Sequence, residues 1–294
     1  MKKEVSISTD LLDDSTYPGS LFPLIRSAGF TYIHWCQDWN SMRMYSDQEI
    51  TRIAFDVEKN DLRVCDLHAS HGKNQFLLLS ELEKNRSAAL ALLENRMLLV
   101  KALGGDTVVL HLDPNLVIDV SEETPMHQKS SVSPKSELID RVLSVSEALN
   151  TLCCKHTVRI AFENLRDVPS FNTKTLMPFV KRLDPRWFGF CFDTGHANLT
   201  GFDTLDTQLF LSRMISIHLS DNFGTKDDHM IPFTASIDWN KAMDMIGRSS
   251  YTGPLTLEVS YPFFAARFPK AVASFLSEAY RAATKLTNML QLHR

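Results

Sequence analysis

Eight short apolar runs recur along this chain, each closing on a polar residue, and this beat limits the fold more than any single motif does. The runs are EVSISTD (4–10), TYIHWC (31–36), LRVCDLHAS (62–70), TVVLHLD (107–113), VRIAFEN (158–164), WFGFCFDTGH (187–196), ISIHLSDN (215–222) and PLTLEVS (254–260). Several are almost continuously apolar before the polar end, as strands of a parallel sheet covered on both faces are. Helical patterns fill the gaps. In 83–103, Leu90, Leu93, Met97 and Val100 share one face, and Gly104-Gly105 supplies a stop. In 136–153, Leu138, Val142, Val145, Leu149 and Leu152 form a second stripe, with Pro134 just ahead of it. Weaker helices fit 20–28, 47–59, 173–182, 202–213 and 238–247, and a long one closes the chain near 269–289.

Strand tips advance by about 35 residues per unit, close to the length of a βαβ unit. Eight such units predict an α/β fold, a closed (β/α)8 TIM barrel forming one domain over 1–294. An open doubly wound sheet is the competitor, but it carries a glycine fingerprint after its first strand, and SISTD is followed here by LLDDSTYPGS. No linker, repeat or low-complexity tract interrupts the beat. One long irregular stretch, about 113–134, follows the fourth strand on the side where barrel active sites are built, and its length predicts a lid or rim.

Composition narrows the setting. The net charge of -4 argues against a bulk nucleic-acid binder. Five cysteines, Cys36, Cys65, Cys153, Cys154 and Cys191, form no CxxC pair, which fits a reduced compartment. MKKEVSISTD turns polar at once, unlike a signal peptide, and no run is long enough to span a membrane. A cytoplasmic protein without a membrane partner is expected.

The strand ends carry the chemistry. Strand 3 ends at His68, with His71 close behind, and strand 4 at His111. Strand 5 ends at Glu163 and strand 6 at Asp193, with His196 three residues later. Strand 7 ends at His218, with Asp221 three later, and strand 8 at Glu258. A lone histidine at a strand end is more often a hydrogen-bonded core residue than a ligand, and a lone glutamate there is often a cap or ion-pair partner. Their joint occurrence is different. Several carboxylates converging on one buried place repel each other and resist desolvation, at about several kcal/mol per ion. A divalent cation removes both problems. Glu163, Asp193, His218 and Glu258 come from four successive strands and make a mostly oxygen set suited to Mn2+, Mg2+, Fe2+ or Co2+, with Zn2+ permitted. No thiolate is among them, which argues against a structural zinc.

With these residues placed, the chain resembles the xylose isomerase-like TIM barrels, which include sugar and sugar-phosphate isomerases and epimerases and the endonuclease IV-type AP endonucleases. The matching pieces are IAFEN, FCFDTGHAN, IHLSDNFGTKDDHMIP with SIDW, and LTLEVS, covering roughly 158–260. The resemblance implies that Glu163, Asp193, His218 and Glu258 hold one divalent ion. It also implies that Glu163 and Glu258 move protons during isomerisation of a small carbohydrate through an enediolate. Dehydration of a polyol-like substrate is a related alternative. The endonuclease branch holds three zinc ions through nine ligands, whose counterparts here are His68, His111, Glu163, Asp193, His196, His218, Asp227, His229 and Glu258. Negative net charge and rim loops without a dense Lys/Arg run argue against that branch. In sugar-handling relatives the positions of His68, His111, Asp227 and His229 contact substrate instead.

One departure stands out. After Asp227-x-His229 many relatives carry a glycine-rich turn, where this chain reads MIPFTAS. Trp35, Trp39 and Phe223 fall beyond strands 2 and 7, where an aromatic such as Trp35 would wall a sugar pocket or pack beneath a loop. Arg43 and Lys73, in rim loops, would meet a phosphate or remain solvated. Many relatives pair through their barrel faces, so the resemblance allows a homo-oligomer.

Overall fold

Each apolar run forms a strand: β1 Val5–Ser8, β2 Tyr32–Trp35, β3 Arg63–His68, β4 Thr107–Leu110, β5 Arg159–Glu163, β6 Phe188–Asp193, β7 Met214–His218 and β8 Leu255–Leu257. The computed structural model describes residues 3–11, 16–39, 41–69, 77–78, 80, 82–111, 135–165, 176–261 and 269–292, without the side chains of 135–144, 178 and 269. The rim stretch 113–134, His71 and Lys73 lie outside the described residues.

The strands are parallel in the order β7-β6-β5-β4-β3-β2-β1-β8. Beyond the last regular pairs, Leu219 bridges Leu257, and this link between β7 and β8 nearly closes the sheet into a single TIM-barrel domain. Among the described residues the helices are α1 Phe22–Ala28, α2 Asp47–Lys59, α3 Glu83–Ala102, α4 Lys135–His156, α5 Met177–Arg182, α6 Thr194–Thr200, α7 Gln208–Ser212, α8 Trp239–Arg248 and α9 Pro269–Leu292. None is long and apolar enough to cross a membrane. Helix α2 begins with a capping box in which Ser46 and Glu49 satisfy each other's backbone donors. Helix α3 stops where Gly104 takes φ +82°, a conformation glycine adopts without strain. Helix α6 was not expected from the sequence. It starts directly from β6 with Asp193 as its N-cap, the carboxylate accepting the His196 N–H.

The core lies between the barrel and its helices. Phe162, Phe188, Phe190, Phe192 and Phe210 are all buried there, and the Phe190 and Phe210 rings stack at 4.8 Å. Trp35 belongs to the same layer and corrects the expectation that it walls a substrate pocket. It is 1 % exposed, and its indole N–H donates to the Tyr45 hydroxyl at 3.3 Å. Side chains alternate along a strand, so with His34 pointing into the barrel Trp35 points out toward the helices.

Two bulges shape the barrel interior. Between β2 and β3 the register passes from Ile33↔Val64 to Trp35↔Leu67, so β3 carries one extra residue at Cys65–Asp66. Between β6 and β7 it passes from Phe190↔Met214 to Cys191↔Ser216, which makes Ile215 extra. Ile215 then packs on Val109, Ala161 and Cys191 as a small apolar plug inside the barrel. The opposite half of the interior is polar, with Ser6, His34, Asp66, Ser216 and Thr256 all buried.

Candidate metal centre

Each of the four expected ligands sits at a strand end because the apolar run stops there. Glu163, Asp193 and His218 are the last residues of β5, β6 and β7, and Glu258 follows β8. Their exposures are 1 %, 0 %, 0 % and 7 %, and one ligand atom from each lies within 4.8 Å of all the others. His218 Nδ1 is the hub, 3.3 Å from Glu163 Oε1 and 3.1 Å from Glu258 Oε2. Asp193 Oδ1 accepts the His196 N–H at 2.6 Å, whereas its Oδ2 is buried with no hydrogen-bond partner. An orphaned carboxylate oxygen among three other donors is what a cation site requires, and the set fits a divalent ion.

Asn164 sets this geometry. Its amide donates to the Asp193 carbonyl at 2.9 Å and accepts the Asp193 N–H at 2.8 Å, clamping the end of β6 to that of β5. Gly195 matters through closeness, since a Cβ there would come within 2.7 Å of Ser220 Oγ.

The other five expected residues converge on the same mouth. His111 Nε2 lies 2.8 Å from Glu163 Oε2 and 3.3 Å from His68 Nε2. His68 Nδ1–H donates to the Ala69 carbonyl at 2.7 Å. On the other side, Asp227 Oδ2 sits 3.2 Å from His196 Nε2 and 3.1 Å from His229 Nε2. Both of those imidazoles are held from behind, His196 Nδ1–H by the Asn164 carbonyl and His229 Nδ1–H by the Glu258 carbonyl. This back-bonding orients Nε2 as it is oriented in metal-binding histidines. His68, His111 and Glu163 also form a group whose ligand atoms lie within 4.8 Å of one another.

Burial and charge compete at each group. Burial pushes the Asp193 carboxyl up to about 7, above its usual range, with the Glu163 and Glu258 charges adding to the effect and His196 opposing it. Burial also acts to raise Glu163 and Glu258, but His111 and His218 hold Glu163 well down, and His218 holds Glu258 down. Burial opposes protonation of His196 and His229, yet nearby carboxylates win. Asp193 and Asp227 lift His196 to about 10, and Asp227 and Glu258 lift His229 to about 10. Imidazolium ions thus balance the carboxylates, and a divalent cation would supply the same charge at one point.

Sequence reasoning singled out neither Asn164 nor the acceptor role of Asp221. Asp221 takes the N–H groups of Phe233, Ala235 and Ile237 and the Trp239 indole N–H, all at 2.9–3.1 Å. That scaffold holds His229 at φ +45° and Phe233 at φ +74°, conformations rare for residues with a side chain. The segment that lacks the relatives' glycine-rich turn therefore still delivers Asp227 and His229 to the mouth. Trp39 is the aromatic that reaches the site, tilted 6.0 Å from the His68 ring. Arg43 is engaged by Asp38 at 2.7 Å and by Glu49.

A (β/α)8 barrel with carboxylates and imidazoles gathered at its C-terminal mouth is the class of protein that the fold and the site define. The sequence profile described as xylose isomerase-like TIM barrel matches residues 22–277, and the chain belongs to that family. A Sinorhizobium fredii protein, y4fM, is 30 % identical over 286 residues, covering 91 % of this chain and 88 % of its own. Among solved structures, a D-tagatose 3-epimerase-like protein superposes with a TM-score of 0.72 at 17 % identity, over 99 % of this chain and 98 % of its own. The IolI protein, solved with a bound zinc atom, superposes with a TM-score of 0.69 at 16 % identity over 99 % of each chain.

Proposed function

We propose that this chain is a divalent-metal-dependent isomerase or epimerase of a small sugar or sugar phosphate. One ion would be held by Glu163, Asp193, His218 and Glu258. The observation that carries the reading is the four-strand donor set with the orphaned Asp193 Oδ2. The epimerase-like neighbour and the zinc-bound IolI protein support it by fold. Mn2+, Mg2+, Fe2+, Co2+ and Zn2+ all suit these donors.

Held there, a divalent ion would supply Lewis-acid charge that makes the C–H beside a substrate carbonyl easier to deprotonate. The protein supplies the proton transfers. Glu163 and Glu258 flank His218 Nδ1, and one removes the proton that the other returns at the neighbouring carbon or on the opposite face. His111 steers Glu163 through its 2.8 Å contact. Burial of all four donors keeps bulk water from quenching the carbanion-like state. Five free thiols fit a cytoplasmic setting. The test is metal analysis combined with solvent-deuterium exchange into candidate ketoses. A chain that exchanges no proton after loading with each of these metals rejects the reading.

A second reading, a trinuclear-zinc AP endonuclease, is favoured by one observation. His68, His196 and His229 all anchor Nδ1 on a backbone carbonyl and turn Nε2 toward a carboxylate or another imidazole. About three zinc ions per chain with cleavage of an abasic duplex would establish it; one ion with inert DNA removes it.

A further inference from the structure

Below the four-ligand set, the polar half of the barrel interior holds a donor group that the isomerase reading does not use. His34 is fully buried, and its Nδ1 lies 2.8 Å from Asp66 Oδ1. Asp66 is aimed inward by the β3 bulge and also accepts from the Cys65 thiol at 2.9 Å and from the Ser216 hydroxyl. An ionised carboxylate only accepts, so Nδ1 carries the proton and Nε2 a lone pair. That Nε2 is buried with no hydrogen-bond partner. Residue Cys36, two places along the same strand direction and 2 % exposed, offers a sulfur, and Glu258 offers an oxygen. Ligand atoms of His34, Cys36 and Glu258 all lie within 4.8 Å of one another.

The geometry points to a second metal site formed by His34, Cys36 and Glu258, selective for a thiophilic divalent cation of the Zn2+ class. Three features carry it. The donors are one imidazole, one thiol and one carboxylate, a set that soft and borderline metals prefer over Mg2+ or Mn2+. The imidazole is backed by a carboxylate, the support that metal-binding histidines use. The orphaned Nε2 is a buried acceptor that the protein leaves unsatisfied, at a cost that metal ligation would remove. Tetrahedral zinc with N, O and S bonds places its ligands roughly 3.3–3.8 Å apart, so side-chain shifts of about 1 Å close the set. The thiol loses its proton to solvent on binding, with no change of oxidation state. Glu258 Oε2 also faces His218 at 3.1 Å, so one carboxylate would join the two sites. On the isomerase reading, on which this consequence rests, a carboxylate shared between two ions no longer acts as a base.

Co2+ titration of the metal-free full-length chain tests the proposal without needing activity. Ions in the oxygen and nitrogen set give only weak visible bands. Filling the His34–Cys36–Glu258 set adds an intense thiolate-to-cobalt charge-transfer band. Cys36→Ser is expected to lose that band and one equivalent of bound Co2+, whereas Cys65→Ser and Cys191→Ser keep both. The Cys191 control matters because that thiol lies near Glu163 and His218. On the unmodified Zn2+-loaded chain, X-ray absorption is expected to show one sulfur neighbour at about 2.3 Å. Absence of both the band and the sulfur neighbour overturns the proposal, as does a band that survives Cys36→Ser or is lost in Cys191→Ser. The first equivalent is counted separately, so failure of the four-ligand reading would show as loss of that equivalent alone.

Discussion

His196 Nε2 lies 3.2 Å from Asp227 Oδ2, with the opposite ring nitrogen donating to the Asn164 carbonyl at 2.8 Å. The anchored Nδ1–H leaves Nε2 facing a carboxylate, an arrangement that calls for a proton or a cation between the two. The surrounding carboxylates lift His196 to about 10, so the proton is present at neutral pH in the ion-free chain. Whether an ion replaces that proton is what separates a one-metal site from a three-metal site.

Proton release on metal binding measures this directly. At pH 8 Asp193, at about 7, is already ionised, while His196 and His229, both near 10, are protonated. An ion in the four-ligand set displaces the proton on His218, which burial opposes but Cys191, Glu258 and Glu163 together hold well above the ordinary histidine range. Release of about one proton with the first equivalent of ion is expected, read by calorimetry in buffers of different ionisation enthalpy. Release of about three would place ions on His196 and His229 as well.

Affinity for the ion is expected to bend near pH 7. Below that value the folded chain holds a proton on Asp193 as well as on His218, and the ion must displace both. A plot of log affinity against pH then has a slope of about 2 below pH 7 and about 1 above it. The same shift acts on stability without metal. An unfolded aspartate ionises near 3.9, so between about pH 4 and pH 7 the folded state keeps a proton that the unfolded state has released. The Asp193 contribution therefore favours the fold at low pH and fades as pH rises toward 7. A straight affinity plot through pH 7 would contradict the assignment.

Glu258→Gln keeps the shape of the side chain and removes its acid–base capacity. At saturating metal, deuterium exchange into the substrate is expected to fall by about 10²- to 10⁴-fold. The thermal midpoint of the metal-free chain should fall, because His218 at 3.1 Å holds Glu258 ionised in the folded state and the amide forfeits that ion pair. An exchange rate within a few-fold of the parent would remove Glu258 from proton transfer.

Asp221→Ala strips the acceptor from five N–H donors at once, those of Asn222, Phe233, Ala235 and Ile237 and the Trp239 indole. Leaving buried donors unsatisfied costs about 1–3 kcal/mol each, so a loss of about 3 kcal/mol or more is expected, together with proteolytic cleavage between Phe223 and Ile237. The left-handed backbone at His229 and Phe233 should relax, and His229 should leave the mouth. Unchanged thermal unfolding would show that the loop is held by other means. The Phe233 ring, 5.4 Å from Trp239 and capped by Lys285 Nζ at 3.6 Å, is the principal alternative anchor.

Much of the site was legible because strand ends are local features. An apolar run that stops at Glu163, Asp193 or His218 shows both a strand and the residue at its tip, and parallel strands bring such tips to one mouth. Trp35 was misplaced although the signal was available: in a strand where His34 and Cys36 share one face, the residue between them faces away. Helix α6 was hidden because Asp193 serves as strand end, N-cap and candidate ligand together, leaving no separate turn to mark the boundary.

By itself, the sequence determined the eight-unit barrel and the set of ligand-type side chains at its mouth, since both follow from periodicity and chain order. The tertiary structure decided how those side chains face one another. It bulged β3 so that Asp66 reaches His34, clamped β6 to β5 through Asn164, and set Asp227 between two imidazoles 31 and 2 residues away in sequence. Hydrogen bonds, burial and charge act through space over a few ångströms, between residues whose separation along the chain says nothing about which atoms meet.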